Sequence, residues 1–296
     1  MASVHPETVH KPFTQTGTPM VYDEAHRGMV ESTVQLLETW QKSFFTHSEE
    51  NDASDHQYLE IGCGPGNIAR NHLLPLCPPS LKRLVGTDIS EAMVNYARTA
   101  HAHPKVDYRV LDVTADEDVS RFIAEEGRFQ RVYSFLVLHC IHDKAAALKN
   151  IERLMTPGGE CLVIYNPYLK WGEFQRALLE SDSWEKYHGV VWRAMPVFHE
   201  SNDPVSLRKS FFDLVELTGL VPLTCELVRI NVKSANVDDL ARLFATANPI
   251  YPLLTEEEKP MLLDFAKNFL LEGGCSSFSP TGSTQELRFV FHGYKP

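Results

Sequence analysis

The feature that most constrains this sequence is a glycine turn between a short apolar strand and the start of a helix. It occupies residues 58–67, which read YLEIGCGPGN. Glycines at positions 62, 64 and 66 let the backbone turn sharply and approach a ligand at points where a Cβ atom would collide. The stretch predicts the cofactor loop of an α/β nucleotide-binding fold, with a plain connecting turn as the alternative.

Acidic residues end or follow the next two apolar runs. Residues 83–88 end in Asp88, about 20 residues after the glycine turn, where such folds place the acceptor for the ribose hydroxyls. Residues 106–111 are followed by Asp112. Ligands in open α/β sheets bind beyond the carboxyl ends of the strands, so we expect both acids beside the glycine turn. Helix capping is the alternative role for Asp88, and a turn is the alternative for Asp112.

Strands and helices alternate regularly from residue 58 to residue 165, which predicts an α/β fold with a doubly wound parallel sheet. Ser90, followed by Glu91, predicts the N-cap of the second helix. The Pro-Gly-Gly sequence at 157–159 predicts the end of the fourth helix. The expected strands are 58–62, 83–88, 107–111, 130–136 and 160–165, and the expected helices are 66–74, 91–102, 118–126 and 144–154.

The regular alternation breaks after Tyr165. Residues 166–204 and 236–272 are rich in aromatic and aliphatic side chains and exceed an ordinary crossover, so they predict two helical insertions that form a substrate lid. Residues 1–20 lack periodicity and predict a loose tail, which leaves a single domain over 21–296. The remaining expected elements are helices at 22–40 and 206–218 and strands at 223–232 and 286–294.

Composition opposes several classes of function. The net charge of −11 argues against a nucleic-acid partner, which needs a basic face for its phosphates. Charges interrupt the apolar stretches well before 18 residues, so we expect no membrane span, and the first residues lack the pattern of a secretory signal. The six cysteines form no C-x-x-C pair, which predicts free thiols and a cytoplasmic location. The 13 histidines show no metal-ligand spacing, so we expect no metal site. Nothing in the pattern sets an oligomeric state.

The residues around the glycine turn separate two kinds of cofactor. Dinucleotide loops usually have the spacing G-x-G-x-x-G, whereas Asn67 and Ile68 follow the third glycine here. With Glu60 before the turn, the segment resembles the class I S-adenosylmethionine (SAM)-dependent methyltransferases. The resemblance implies SAM as the cofactor and a Rossmann-like sheet of seven mostly parallel strands, with Asp88 on the ribose and Asp112 on the adenine. The residues expected around SAM are Glu60, Gly62, Cys63, Gly64, Gly66, Asp88, Ile89, Asp112, Val113, Ser134 and Phe135.

Residues 133–143, which read YSFLVLHCIHD, carry a narrower resemblance. They are similar to the F-S-F-x-x-L-H-W-x-x-D signature of the insect juvenile hormone acid methyltransferases, and residues 59–67, 86–96 and 110–113 are also alike. Those enzymes convert a sesquiterpenoid acid to its methyl ester. The resemblance covers nearly the whole chain and implies an O-methyltransferase that acts on the carboxylate of an apolar terpenoid or fatty acid, of the farnesoic or juvenile hormone acid type.

Two positions depart from that family's pattern. The Trp after the Leu-His pair is Cys140 here, and the Gln of the N-terminal helix corresponds to Met29. A thiol is a weak hydrogen-bond donor and a thioether is none, so the clamp that holds the substrate carboxylate is missing. His139 and His142 are candidate replacement donors, with a packed histidine and a solvent-facing histidine as the respective alternatives. The residues expected at the reacting atoms are His139 and Cys140, and those expected around the acceptor are Met29, His139, Cys140, Tyr168, Trp171 and Trp192.

The chemistry of methyl transfer weighs on the choice of acceptor. A carboxylate is already ionised near neutral pH, whereas a hydroxyl group would need a base. The strand ends carry no paired acids or similar constellation that indicates a base, which favours an acid substrate. Methylation of another small acid or of a hydroxyl compound is the alternative, and a SAM- or terpenoid-binding protein without turnover is a third reading.

Overall fold

The computed structural model describes residues 19–44, 55–167, 170–193, 195, 203–233, 237–272 and 283–296. The loose tail expected at 1–20 lies outside the described residues up to position 18, and Pro19 begins the first helix.

Seven strands in the described part of the chain form one mostly parallel sheet. They are β1 (Gln57–Ile61), β2 (Arg83–Asp88), β3 (Val106–Val110), β4 (Phe129–Phe135), β5 (Met155–Tyr165), β6 (Val221–Lys233) and β7 (Ser283–Tyr294). The strand order is β3-β2-β1-β4-β5-β7-β6, and β1 to β5 are parallel. Strand β7 runs antiparallel between β5 and β6. The predicted Rossmann-like sheet is confirmed.

The helices lie on both faces of the sheet and over its carboxyl edge. They are α1 (Pro19–Ala25), α2 (Arg27–Trp40), α3 (Glu91–Ala100), α4 (Asp116–Glu126), α5 (Lys144–Leu154), α6 (Lys170–Leu179), α7 (His188–Arg193), α8 (Pro204–Val215), α9 (Val237–Thr246) and α10 (Glu258–Glu272). The predicted cap of α3 is present, because Ser90 Oγ accepts a hydrogen bond from the backbone N–H of Met93 at 3.4 Å.

Two segments differ from the regular elements that the sequence predicts. The helix expected at 66–74 widens into a π-turn at Ala69–Leu73 and tightens into a 3₁₀ turn at Leu74–Leu76, where the proline in that turn lacks the N–H that a continuing α-helix needs. Helix α5 ends at Leu154 and runs directly into β5, so the Pro-Gly-Gly sequence lies within this strand. Gly158 has a φ of +77°, and the β4–β5 register shifts beside it, so the glycines form a strand irregularity.

Apolar side chains cover both faces of the sheet. One core joins β1, β4, β5 and β7 to helices α4, α5 and α8, and includes Phe122, Ile151 and Phe211. The opposite core joins the sheet to α2 and α3, and includes Leu37 and Val94. The strands are therefore buried on both sides, as expected for a doubly wound sheet.

The two predicted insertions are helical and pack against each other in one cluster, which we call the lid cluster. It joins α6, the 3₁₀ turn at Asp182–Tyr187 and α7 to α9 and α10. The Phe174 ring lies 5.4 Å from that of Phe244 and 5.5 Å from that of Phe269, centroid to centroid. Met29 of α2 packs against this cluster, and α1 contacts α9. The N-terminal helices therefore lie between the sheet and the insertions.

Candidate active site

The glycine turn lies where the direction of the sheet reverses. From β1 the chain proceeds outward through β2 and β3, and then returns to the other side of β1 as β4. Helices on both faces leave a crevice beyond the carboxyl ends of β1 and β4, which is the ligand position in open α/β sheets.

The glycines of the turn serve different purposes. A Cβ atom on Gly62, whose φ is +71°, would lie 2.1 Å from a methyl carbon of Val137, so Gly62 allows the turn to pack against the segment after β4. On Gly64, whose φ is +52°, the nearest atom to a Cβ would be a ring carbon of Tyr22 at 4.0 Å. Gly66 instead packs against Tyr108 and Ala97. Gly64 is therefore the member of the turn at which a Cβ atom would meet only an ordinary van der Waals contact, with Tyr22.

Asp88 connects the end of β2 to the glycine turn. Its Oδ2 accepts a hydrogen bond from the Gly64 N–H at 2.9 Å, and its Oδ1 accepts one from the Ser90 N–H at 2.8 Å. Burial raises the pKa of Asp88, against the opposing effect of the backbone N–H groups of Ser90, Gly64 and Ile89. The carboxylate thus binds the backbone of Ser90, the residue that caps α3, and also the cofactor loop.

Glu60 is a buried acid with an unused acceptor atom. Its side chain is 1% exposed, and Oε2 has no hydrogen-bond partner. Burial, and then the nearby Asp88, raise the pKa of Glu60 to about 8. On the neighbouring strand, the Oγ of Ser134 is also buried without a partner, and the β1–β4 register places Ser134 opposite Ile61. Unpaired polar atoms beside a glycine turn fit the amino acid end of SAM, whose ammonium group would satisfy such an acceptor.

The other expected cofactor residues are held firmly by the protein. Asp112 Oδ1 accepts hydrogen bonds from the backbone N–H and the hydroxyl of Thr114, at 3.0 and 2.6 Å, which is the geometry of the turn alternative. Val113 is buried, and its carbonyl accepts a bond from Asn150 at 3.0 Å. Cys63 and Phe135 both lie in the core next to α2 and α3. Asp112 and Val113 lie at the carboxyl end of β3, next to β2, and their contact with adenine stays a prediction.

Helix α1 crosses the crevice, which the sequence patterns did not indicate. Asp23 Oδ1 accepts a hydrogen bond from Asn67 Nδ2 at 3.0 Å, and Asp23 Oδ2 lies 3.0 Å from His101 Nε2. The Tyr22 ring stacks on His26 with centroids 3.6 Å apart. No local motif marks Asp23, because its partners lie 44 and 78 positions away along the chain.

Tyr22 lies near the cofactor loop, because a Cβ atom on Gly64 would be 4.0 Å from its ring, and near Cys140, which affects its pKa. Burial raises the pKa of Tyr22, and the proximity of Cys140 and Asp88 raises it further. Burial also raises the pKa of the Cys140 thiol. Both groups therefore stay protonated at neutral pH, and the sequence analysis did not include Tyr22 among the expected site residues.

His139 lies in a 3₁₀ turn, Leu138–Cys140, that follows β4. Its pKa is lowered to about 3 by burial and by the nearby charges of Arg288, Lys144 and His26. Its Nδ1 accepts a hydrogen bond from the backbone N–H of Asn166 at 3.4 Å. A neutral imidazole that accepts at Nδ1 carries its proton on Nε2, so His139 presents an N–H donor.

The expected acceptor residues are only partly brought together. His139 and Cys140 adjoin, and Met29 is partly buried against the lid cluster. Tyr168 and the side chain of Trp171 lie outside the described residues. Trp192 is 68% exposed, because Val191 turns into the cluster and the next helical position points away from it. Contact between Trp192 and an acceptor stays a prediction.

Two further observations apply to the described ranges alone. No helix there is long and apolar enough to cross a membrane. Within the same ranges, no three His, Cys, Asp or Glu side chains are grouped so that they could hold a metal ion.

Comparisons with known proteins match the same part of the chain. The profile described as "Methyltransferase domain" matches residues 59–163, which contain the glycine turn. The chain is 28% identical over 212 residues to juvenile hormone acid O-methyltransferase of Bombyx mori, covering 72% of each chain. It is 29% identical over 211 residues to the Drosophila melanogaster enzyme of the same name, covering 70% of this chain and 67% of that one.

A solved structure shares the fold. Phosphoethanolamine N-methyltransferase 2 of Haemonchus contortus, in complex with SAM, matches with a TM-score of 0.51 at 15% identity, over 94% of this chain and 56% of that one. The reversal of strand order at the glycine turn and the methyltransferase-domain match fall on the same segment, so residues 59–163 carry a SAM-dependent methyltransferase domain with the class I sheet.

Proposed function

We propose that the chain transfers the methyl group of SAM to the carboxylate of an apolar small molecule, of the terpenoid or fatty acid type. The two curated relatives are named for a juvenile hormone acid, and they align with more than two thirds of this chain. An acid acceptor would give a methyl ester.

The observation that carries this proposal is the protonation of the side chains at the acceptor side. Bound SAM supplies an electrophilic methyl group on a sulfonium, so the protein must align a nucleophile with it and exclude water. The raised pKa values of Tyr22 and Cys140 keep both groups protonated, so neither can accept a proton from a hydroxyl. The lowered pKa of His139 makes its imidazole too weak a base for the same step. A carboxylate needs no such base, because it is already ionised.

The lid cluster supports an apolar acceptor. Its aromatic and aliphatic side chains come from both insertions and pack above the edge of the sheet where α1 and α2 also lie. Burial of an acceptor chain there would contribute about 0.8 kcal/mol per CH₂ group. We expect farnesoic acid to bind far more tightly than acetic acid.

A hydroxyl acceptor is the second candidate, and one observation favours it. Lys144 lies beside Cys140, and burial lowers the pKa of Lys144. A lysine of lowered pKa is a possible general base. Lys144→Met should abolish methylation of a hydroxyl compound and leave methylation of an acid in place.

The test is methyl transfer from radiolabelled SAM to farnesoic acid, a juvenile hormone acid, dodecanoic acid, acetic acid and farnesol, with SAM affinity measured by calorimetry on the same protein. The proposal expects methyl esters of the apolar acids. Transfer to farnesol alone would support the second candidate. SAM binding without transfer to any compound would identify a binding protein.

The free cysteines bear on location. Cys63, Cys140, Cys161 and Cys225 carry free thiols in the described part of the chain. We propose a reducing, cytoplasmic setting, since secreted proteins usually pair such residues.

A further inference from the structure

Strand β7 brings a charged side chain to the ligand edge of the sheet. The antiparallel register pairs Tyr165, the last residue of β5, with Phe289. The next residue of β5's chain, Asn166, therefore lies opposite Arg288. This position is the carboxyl edge of the parallel strands, where ligands of such sheets bind. Arg288 nevertheless has no exposed surface.

The alternation of β7 sets the face on which Arg288 lies. Phe289 and Phe291 pack into the core beside α5 and α8, and Val290 packs into the opposite core beside α2. Side chains two positions apart share a face, so Arg288 lies on the α2 side with Val290. Helix α2 carries Met29, one of the two positions at which the family's clamp is missing.

The guanidinium of Arg288 is only partly used. Its Nη1 donates to Glu286 Oε2, whereas Nε and Nη2 are buried without any hydrogen-bond partner. Arginine is permanently charged, and a buried charged donor left unpaired destabilises the protein. The Nε–H and Nη2–H bonds point in parallel from the same edge of the group, which matches the two oxygens of one carboxylate.

A chain of contacts connects Arg288 to the acceptor side. Asn166 Nδ2 lies 3.5 Å from the same Glu286 oxygen, and the backbone N–H of Asn166 donates to His139. The positive charge of Arg288 is close enough to be the second largest cause of the lowered pKa of His139. The unpaired Nε–H and Nη2–H of Arg288 and the Nε2–H of His139 therefore belong to one cluster of polar side chains at the edge of an otherwise apolar region.

We propose that Arg288 binds the carboxylate of the methyl acceptor through Nε and Nη2, and so replaces the Gln and Trp clamp that Met29 and Cys140 cannot form. This inference rests on the proposed acid acceptor. Glu286 keeps its hydrogen bond from Nη1, so the guanidinium would bind the Glu286 carboxylate on one edge and the acceptor carboxylate on another. Methyl transfer removes the acceptor's negative charge, so the ion pair weakens toward the product and stabilises bound substrate more than the transition state. Loss of Arg288 should therefore raise KM without lowering kcat.

The experiment compares farnesoic acid with farnesol, which has the same chain and no charge. Binding is measured by calorimetry in the presence of S-adenosylhomocysteine, so that no turnover occurs, for wild type, Arg288→Met and Arg288→Lys. Loss of charge-assisted hydrogen bonds should weaken farnesoic acid binding by about 10- to 100-fold in Arg288→Met. Farnesol binding and SAM affinity should change less than about twofold by the same reasoning.

The outcomes separate this inference from the proposed function. If wild type esterifies apolar acids and Arg288→Met keeps the preference for acid over alcohol, the inference is wrong and the proposed function stands. If wild type esterifies no acid but its binding preference for the acid disappears in Arg288→Met, Arg288 binds a carboxylate that is not a methyl acceptor, and both the proposed function and the inference are wrong. Equal losses for both probes would show that Arg288 only packs. If Arg288→Met does not fold, Arg288→Lys is the second variant, because it keeps the positive charge and lacks the two parallel N–H donors. Unchanged affinity for farnesoic acid in Arg288→Lys would overturn the inference.

Discussion

The carboxylate of Asp88 accepts a hydrogen bond from the backbone N–H of Gly64 at 2.9 Å, across 24 positions of the chain. The end of β2 and the glycine turn are therefore joined without help from a ligand. The same carboxylate binds the start of α3 through the Ser90 N–H. A ribose ring placed on Asp88 would meet an acceptor whose orientation is already fixed, which reduces the entropy lost on binding.

Asp88→Ala should weaken SAM binding by about 1.5 to 3 kcal/mol, the usual contribution of hydrogen bonds to a charged group. Calorimetric titration with SAM measures the change. Asp88→Asn is the matched control, because it keeps the size and one acceptor atom and should lose less. Unchanged SAM affinity in a folded Asp88→Ala protein would reduce Asp88 to the capping role.

Gly64→Ala and Gly62→Ala should fail in different ways. Each places a Cβ on a residue with positive φ, which costs about 1–2 kcal/mol by itself. Of the two, only the Gly62 Cβ would collide with the protein, at 2.1 Å from Val137, whereas the Gly64 Cβ would make an ordinary contact with the Tyr22 ring at 4.0 Å. We expect Gly62→Ala to lower the melting temperature more, and Gly64→Ala to lose SAM affinity in a protein that still folds. A Gly64→Ala protein with full SAM affinity would show that the turn only connects strand and helix.

Asp23 should control how long the cofactor stays bound, because it fastens α1 to Asn67 and His101 across the glycine turn. Asp23→Ala removes both contacts and should increase the SAM dissociation rate by about fivefold, taking each net hydrogen bond at about 1 kcal/mol and allowing for partial compensation. Stopped-flow displacement measures the rate. Hydrogen exchange in residues 19–26 should accelerate in parallel, and unchanged exchange would show that other contacts hold α1 in place.

Glu60→Gln should separate stability from cofactor binding. The folded-state pKa of Glu60, about 8, lies above its usual 4.5, so wild type loses stability as pH rises from 4.5 to 8 while the unfolded chain releases its proton. Glutamine does not titrate, so the variant should gain stability relative to wild type across that window, by at most about 1.4 kcal/mol per pH unit. Its SAM affinity should fall, because an amide cannot pair with an ammonium group as a carboxylate does.

Denaturant unfolding at pH 5 and at pH 7.5 checks the first part of that prediction, and calorimetry with SAM checks the second. A difference in stability that does not grow with pH would mean that Glu60 is ionised in the folded protein. Unchanged SAM affinity would show that its open oxygen serves no ligand.

The alternating strands and helices of residues 58–165 were predictable because the sequence patterns that mark them are local. Helix α5 begins and ends where the sequence places it, and Ser90 caps α3 through a bond that spans three residues. The long-range contacts of Asp23 and the burial of Arg288 carry no such signal. Leu287, Phe289 and Phe291 alternate as on a strand with one buried face, which leaves Arg288 on the side that reads as solvent-facing. Because β7 lies between β5 and β6 and both faces are covered, that side is buried as well.

Restoring the family's clamp should improve an enzyme that esterifies acids. Cys140→Trp with Met29→Gln adds an indole N–H and an amide donor at the two positions where this chain offers a thiol and a thioether. If the acceptor is a carboxylate, each added hydrogen bond to its charge contributes about 1.5–3 kcal/mol, so kcat/KM for farnesoic acid should rise about tenfold or more. The gain should be larger in the Arg288→Met background, because wild type already has a cation for the same group. The contradicting result is a double variant that folds and binds SAM but leaves terpenoid acids unmethylated, while wild type methylates farnesol. That result would show that the acceptor is a hydroxyl compound.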